Sequence, residues 1–168
     1  RLPADAAKSV ARGKQTTASN VYQDQDRCRA ELAFDGDPQT RWASDAGLQQ
    51  AWLEVDLGRV CIIDRAWLSE AYDRVEEFEL QADRGGRWET FARGGRIGLG
   101  LELKFAPVQA QKIRLNVLKA TDGPTIWEFL LFEAASADSA PRAVIRPEGR
   151  TDRQHRPRES TPSRSGQA

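Results

Sequence analysis

The sequence has very few of the side chains on which most catalytic and metal centres depend. Its only histidine is His155, and it has two cysteines, Cys28 and Cys61, and no methionine. A Ser-His-Asp or Cys-His catalytic system needs an oriented imidazole, and a three-histidine zinc site needs more histidines than the chain has. His155 lies in DRQHRPRES, far from any core-forming residues. Only carboxylate chemistry therefore stays open to an enzyme.

The sequence also lacks an excess of charge and any long apolar run. Its 25 basic and 25 acidic side chains cancel, so electrostatics gives no reason to expect a nucleic acid or an anionic membrane as the main partner. No apolar segment approaches the roughly 20 residues that cross a bilayer as a helix. The chain begins with Arg1 and shows no secretory signal. We interpret it as part of a longer polypeptide, so the missing signal says little about its compartment.

The two cysteines have neither the spacing of a metal knuckle nor that of a redox pair. Cys61 lies in the apolar run 60–63, and small thiols are often buried unpaired. Two unpaired thiols are therefore expected. A disulfide between Cys28 and Cys61 stays open as the alternative for an extracellular module.

A change of composition near residue 134 predicts the domain boundary. From Ala135 onward the chain holds four of its eight prolines, seven arginines and almost no large apolar residue. Such a segment buries too little surface to offset the entropy of ordering it, so residues 135–168 are predicted to be a disordered tail. Residues 1–12 are predicted to be a mostly unstructured lead-in or linker.

Between these ends, a period of two in the apolar residues predicts β-strands. Turn signals such as Asp122-Gly123 separate them, and no stretch shows a sustained 3.6-residue repeat. Short strands without crossover helices predict an all-β fold, an antiparallel β-sandwich of jelly-roll type, over residues 13–134. The clearest alternating segments are LEVDL (53–57), FELQA (78–82), LELKF (101–105) and KIRLNV (112–117).

The acidic stretch AFDGDPQTRWAS (33–44) has two interpretations. Calcium takes six to eight oxygen ligands, and a turn with Asp35 and Asp37 on either side of one glycine, followed by Thr40, can point several oxygens into one concavity. Alternatively, the two carboxylates cap the turn by accepting backbone N–H bonds, and Trp42 anchors it in the core. Two carboxylates rarely fill a calcium shell, so a metal site needs another acidic ligand from elsewhere.

The chain resembles the discoidin, or coagulation-factor C-type, domain in the order of its segments ASNVYQ, AFDGDPQTRW, AWLEVDLG, QKIRLNVLKA and PTIWEFLLF. In sugar-acting proteins the same galactose-binding-domain-like fold is called carbohydrate-binding module family 32. Within that superfamily the chain is most similar to the C-terminal module of glycoside hydrolase family 29 α-L-fucosidases. The similarity spans roughly residues 13–133.

This resemblance implies a non-catalytic carbohydrate-binding or accessory module of a secreted, extracellular or periplasmic glycosidase. The implied partners are the terminal fucose or galactose of glycans and the catalytic domain of the parent enzyme, an α-L-fucosidase, with no nucleic acid and no membrane. A discoidin-type protein-binding adhesion domain is the alternative function.

The resemblance also implies a structural calcium ion that joins the acidic turn to the last strand. Glu128 interrupts the apolar segment TIWEFLLF, where an unpaired carboxylate is costly to bury. A cation would account for it; an ion pair with an arginine such as Arg41 is the alternative. The implied ligands are the Leu32 carbonyl, Asp35, Asp37, Thr40, the Trp127 carbonyl and Glu128.

Ligand recognition is expected in loops at one end of the sandwich. Sugar sites couple an aromatic face with charged or amide groups that bond hydroxyls. The segment EAYDRVE supplies Tyr72, Asp73 and Arg74, and VYQDQDR supplies Tyr22 and Gln23. The alternative for each residue is ordinary loop packing or an exposed ion pair. The folded region has no histidine, although several galactose-binding relatives use one to bind their ligand.

Most of the tryptophans have structural interpretations. Trp42, Trp67 and Trp88 lie within or beside predicted strands and are expected to fill core or inter-sheet space. Trp52 precedes an alternating strand and is free to face outward.

Overall fold

The computed structural model describes residues 1–136, so residues 137–168 of the predicted tail lie outside the described chain. Within residues 1–136 every helix is a single short 3₁₀ turn, and none has the length and apolar content to cross a membrane. The 3₁₀ turns are Ala6–Lys8, Tyr22–Asp24, Asp26–Cys28 and Ala30–Ala33. The strands are β1 (Gln15–Ala18), β2 (Trp42–Ala43), β3 (Ala51–Glu70), β4 (Val75–Asp83), β5 (Trp88–Gly94), β6 (Leu101–Ala120) and β7 (Thr125–Glu133).

Two long, bent strands organise the sheets. β3 and β6 run antiparallel along most of their length, and their register breaks between Asp56 and Cys61, where Gly58 takes a φ of +76°. Before the break β3 pairs with β1, and after it β3 pairs with β7. β4 pairs with the second half of β6 and with β5, and β2 pairs with β7. All these pairs are antiparallel, and the predicted all-β sandwich is confirmed.

The predicted alternation places the core between the two layers. Apolar residues of LEVDL, FELQA and KIRLNV are buried, while the polar residues between them are less so. Burying each such aliphatic or aromatic side chain stabilises the fold by about 1.5–3 kcal/mol. The segment LELKF differs, because Leu101, Leu103 and Phe105 are only half-buried. Phe105 there packs against Phe91 of β5, with ring centroids 4.9 Å apart.

The segment predicted to be a lead-in packs against the domain. The Val10 N–H donates to the Leu131 carbonyl at 2.9 Å, and the Leu131 N–H donates to the Ser9 hydroxyl at 3.1 Å. Ala11 is fully buried in the main core, and Leu2 packs on a small cluster on β3 and β7. The sequence pattern did not reveal this, because residues 1–12 contain few large apolar side chains and no period.

The tryptophans divide between the core and an outer face. Trp42 and Trp67 are buried as predicted, but Trp88 is only half-buried. The Arg114 guanidinium lies between two indoles, 4.2 Å from the Trp88 ring centroid and 4.5 Å from that of Trp52. Arg114 alternates with buried neighbours in β6, so this cation–π group lies on the outside of the sheet. The prediction of a core position for Trp88 is therefore wrong.

Both cysteines are buried and carry free thiols. Cys28 lies in a 3₁₀ turn and Cys61 in β3 beyond the register break. Burial raises the pKa of the Cys61 thiol. The expectation of two unpaired thiols is confirmed.

Close packing around Phe78 predicts that Gly94→Ala destabilises the domain. A Cβ at residue 94 would lie 2.4 Å from the Phe78 ring, which is fully buried. Such overpacking costs about 1–3 kcal/mol. Gly95→Ala is the matched control, because its Cβ meets only the Glu76 carbonyl, at 3.5 Å. Thermal unfolding should show a lower Tm for Gly94→Ala alone; equal Tm values would contradict this packing.

Candidate functional site

The acidic turn has its own hydrogen-bond network. Asp35 Oδ1 accepts the Asp37 N–H and Asp37 Oδ1 accepts the Gln39 N–H, both at 2.8 Å. Gly36 between the two aspartates takes a φ of +78°, which favours glycine. Thr40 Oγ1 lies 2.7 Å from Asp35 Oδ2, 3.1 Å from the Asp37 carbonyl and 3.4 Å from the carbonyl of residue 32. The turn-capping bonds and a convergence of oxygen atoms are thus both present.

Glu128 brings a buried carboxylate from β7 to this turn. The residue is 0% exposed. Its Oε2 accepts the Gly36 N–H at 3.3 Å, and its Oε1 is buried without a hydrogen-bond partner. Burial raises the pKa of Glu128 to about 8, with a further contribution from the Asp35 carboxylate beside it. An ionised carboxylate in such a position is costly unless a cation compensates it.

That compensation does not come from an arginine. Among residues 1–136 no arginine or lysine forms an ion pair with Glu128. The Arg41 guanidinium instead lies 5.0 Å from the ring centroid of Trp127 and 5.4 Å from that of Tyr72. The alternative of a Glu128–Arg41 pair is therefore wrong.

The oxygen atoms around Glu128 suit a hard cation. Carboxylates of Asp35 and Glu128, the Thr40 hydroxyl and the carbonyls of Leu32 and Asp37 surround the same small region, and calcium prefers such ligands. Within residues 1–136 no group of three acidic, histidine or cysteine side chains has metal-binding geometry, and this includes the side chains of the acidic turn. The Asp37 carboxylate is exposed and accepts the Gln39 N–H, and it is the Asp37 carbonyl that faces Thr40.

An open cleft of about 930 Å³ lies beside the acidic turn. Leu32 and Thr40 belong to its wall, so the cleft and the turn adjoin. Three of the predicted ligand-binding residues, Tyr22, Tyr72 and Arg74, line it. The wall also includes Asp26, Arg27, Cys28, Arg41, Ser44 and Trp127.

Two predicted ligand-binding residues, Gln23 and Asp73, are not part of the cleft wall. Both are exposed and have positive φ, 47° and 52° respectively, so they form the tight points of their loops. The Gln23 N–H donates to Asp45 Oδ1 at 2.7 Å, and the Asp73 carboxylate lies 3.5 Å from Arg96. Neither residue lines this cleft, because adjacent residues in a loop point in different directions, and their part in ligand binding stays a prediction.

Sequence reasoning missed two residues of the cleft, the Arg41 and Trp127 side chains. Trp127 was considered only for its carbonyl and Arg41 only as a partner of Glu128. The signal was present in β7, where residues 126 and 128 are buried and alternation turns Trp127 outward. No comparable signal existed for Arg41, whose neighbour Tyr72 comes from a distant loop.

A second buried carboxylate holds the loop that carries Tyr72. Glu70 Oε1 accepts the N–H groups of Arg74 at 2.6 Å and Val75 at 2.8 Å, and burial raises the pKa of Glu70. The Arg74 side chain donates to the Gly123 carbonyl at 3.0 Å and lies 4.4 Å from the Tyr72 ring centroid. The Tyr72 wall of the cleft is thus fastened to the core strand below it and to the β6–β7 loop.

Comparison with known proteins places this arrangement in a family. Residues 15–130 match the F5/8 type C domain. The chain belongs to this family. As an F5/8 type C domain it is a non-catalytic module. None of the curated protein sequences matches it.

Solved structures share the fold of this F5/8 type C domain. Chitosan-binding module 1 of a chitosanase/glucanase from Paenibacillus sp. IK-5 is 27% identical, with a TM-score of 0.68 over 74% of this chain and 98% of that module. SpGH29 is also 27% identical, with a TM-score of 0.68 over 77% of this chain. This chain spans only 28% of SpGH29. A GH29 fucosidase from Ruminococcus gnavus, 19% identical with a TM-score of 0.70 over 77% of this chain and 27% of that one, shows the fold alone.

The bonds of Glu70 predict that Glu70→Ala destabilises the F5/8 type C domain while Glu70→Gln does not. Alanine leaves two backbone N–H groups without their acceptor, which costs about 1–3 kcal/mol for each group that stays buried. Glutamine keeps an acceptor oxygen and removes the buried charge.

The same variants give a pH dependence. The pKa of Glu70 in the folded state is raised above its ordinary value of 4.5. Glu70 therefore does not lower the free energy of unfolding below pH 4.5, and it lowers this free energy by an increasing amount as pH rises through the folded pKa. In urea titrations, the free energy of unfolding of Glu70→Gln should therefore increase relative to that of the wild type as pH rises. A constant difference would contradict the assignment.

Proposed function

We propose that this domain is a carbohydrate-binding module attached to a secreted glycosidase. The observation that carries the proposal is the cleft, in which the Tyr72 and Trp127 rings lie next to the arginines 41 and 74. Aromatic faces pack on the apolar C–H groups of sugar rings, and guanidinium N–H groups bond hydroxyls in a fixed geometry. The chitosan-binding modules, which match this chain over nearly their whole length, support the same class of ligand.

The proposed sugars are the terminal residues of glycans, with fucose and galactose as the first candidates. The similarity to SpGH29 and to the Ruminococcus gnavus GH29 fucosidase supports a parent enzyme of glycoside hydrolase family 29, and the proposed parent is an α-L-fucosidase that acts outside the cytoplasm. In such an enzyme the module would hold the catalytic domain at glycan surfaces. Tethering raises the effective substrate concentration to about the millimolar range without new catalytic contacts.

A structural calcium ion belongs to the same proposal. Asp35, Thr40 and Glu128 would hold it through their side chains, with carbonyls of Leu32, Asp37 and Trp127 completing the shell. Bound calcium supplies positive charge where Glu128 is buried unpaired, and has no part in chemistry. The residues themselves then fasten the acidic turn to β7, which fixes Thr40 and the adjoining wall of the cleft.

Glycan binding by the full 168-residue chain is expected to depend on Tyr72. On a glycan array the wild type should bind structures with terminal fucose or galactose, and Tyr72→Ala should lose at least about tenfold in affinity, since one sugar–aromatic contact is worth roughly 1.5 kcal/mol. Leu99→Ala is the matched control, because Leu99 is also a large exposed side chain, 74% against 51% for Tyr72, but lies outside the cleft.

The array also separates the two candidate functions. Binding that is lost in Tyr72→Ala and kept in Leu99→Ala supports the carbohydrate-binding module. A blank array, together with a protein recovered by pull-down that no longer binds Tyr72→Ala, would replace it with the discoidin-type adhesion function.

Calcium is expected to raise the Tm of the wild type and chelator to lower it, whereas Glu128→Gln should respond to neither. In chelator the variant should be at least as stable as the wild type, because glutamine is neutral at every pH whereas the buried Glu128 carboxyl is costly to ionise. A ligand at 100 times its Kd stabilises the native state by about 2.7 kcal/mol. Glu31→Gln, which removes an exposed carboxylate near the same turn, is the control and should keep the full response. A wild-type Tm unchanged by calcium and chelator would contradict the site.

A further inference from the structure

The Arg41 guanidinium has no hydrogen-bond acceptor within the described chain. Most arginines of residues 1–136 pair with a carboxylate, but no carboxylate or carbonyl accepts a bond from Arg41. The residue is half-buried, and its guanidinium lies between the Trp127 and Tyr72 rings, 5.0 Å and 5.4 Å from their centroids. Five N–H donors are therefore held in the cleft with only ring faces as partners.

The cleft wall as a whole also has an excess of positive charge. Of the three arginines that line it, Arg74 is compensated by Asp122 at 3.3 Å, while the Arg27 Nε donates to the uncharged Gln25 side chain at 2.6 Å. The one acidic side chain in the wall, Asp26, already pairs with Arg29 at 2.5 Å. Two guanidinium groups, those of residues 27 and 41, thus face the cleft without a carboxylate.

The neighbouring acidic groups bond to other partners than these two guanidinium groups. Asp35 bonds the Asp37 N–H and Thr40, and Glu128 bonds the Gly36 N–H. Asp45, in the adjoining loop, accepts from Asn20 and Gln23. These carboxylates make their hydrogen bonds within their own surroundings, and within residues 1–136 none of them forms an ion pair with Arg27 or Arg41.

We propose that the cleft takes a sugar that carries a carboxylate, a uronic or a sialic acid, and that Arg41 forms a two-point hydrogen-bonded pair with it. This inference rests on the proposed carbohydrate-binding function and defines the charge of its ligand. The planar guanidinium matches a carboxylate with two parallel N–H···O bonds, which are about twice as strong as neutral ones. The flanking rings already restrict Arg41, so less side-chain entropy is lost on binding. Positively charged glucosamine polymers are disfavoured in this cleft.

The test compares acidic sugars with neutral partners of the same shape on the full chain, by calorimetry in calcium-containing buffer. The probes are a galacturonate trimer and its methyl ester, sialyllactose and lactose, and a glucosamine trimer. Each acid should bind at least about tenfold tighter than its neutral partner, the difference expected between a charged and a neutral pair. The advantage should shrink as salt is raised.

Variants assign the effect to Arg41. Arg41→Gln should abolish the preference for the acid. Arg41→Lys should keep only part of it, because the lysine ammonium has the positive charge but not the planar pair of N–H donors of a guanidinium. Arg87→Gln is the matched control, since Arg87 is exposed outside the cleft, and should leave the preference intact. Circular dichroism and Tm values establish that each variant is folded.

Each outcome has a distinct meaning. Preference for the galacturonate trimer alone supports a uronic acid, and preference for sialyllactose alone supports a sialic acid. Equal binding of acids and neutral partners, or an unchanged preference in folded Arg41→Gln, overturns this inference and leaves the carbohydrate-binding function standing. Absence of binding by every sugar, on the array as well, overturns the function itself.

Discussion

The buried carboxylate of Glu128 is the constraint on which this end of the sandwich depends. It lies in β7 among core residues, accepts the Gly36 N–H from the acidic turn and keeps one oxygen without a partner. A strand that turns a carboxylate inward must turn its neighbour outward, so the same register exposes the Trp127 ring to the cleft. The proposed cation site and the proposed ligand site therefore lie on opposite sides of β7, at the adjacent residues Glu128 and Trp127.

The two walls of the cleft are held in the same way, by a glutamate that reaches from the core to the backbone of a loop. Glu128 reaches the turn that carries Thr40, and Glu70 reaches the loop that carries Tyr72 and Arg74. One oxygen of Glu128 accepts one backbone N–H and one oxygen of Glu70 accepts two, while the other oxygen of each carboxylate is buried without a partner. Loops fixed at their bases lose little entropy on binding, which suits a site that binds without a chemical step.

The charge of the cleft depends on a few side chains that the family scaffold carries. The sandwich and its strand register set where the loops begin, and the wall combines loop side chains with strand residues such as Trp127 of β7. In this chain they place arginines beside two aromatic rings, with one uncompensated guanidinium held between the rings. Similarity to a chitosan-binding module thus extends to the fold, while the charge of the cleft in this chain follows from a few loop residues.

The strands, their faces and the acidic turn were predictable from the sequence, because they depend on local periods and local turn chemistry. Glu128 stood out because it interrupts an apolar segment, and Tyr22, Tyr72 and Arg74 because they lie between strand patterns. Gln23 and Asp73 lie in the same loops but outside the cleft wall, since the direction of a loop side chain depends on φ and ψ. The meeting of Arg41 with Tyr72 and Trp127, the packing of residues 1–12 and the outward position of Trp88 came only from the tertiary structure, because contacts between distant segments leave no local signal.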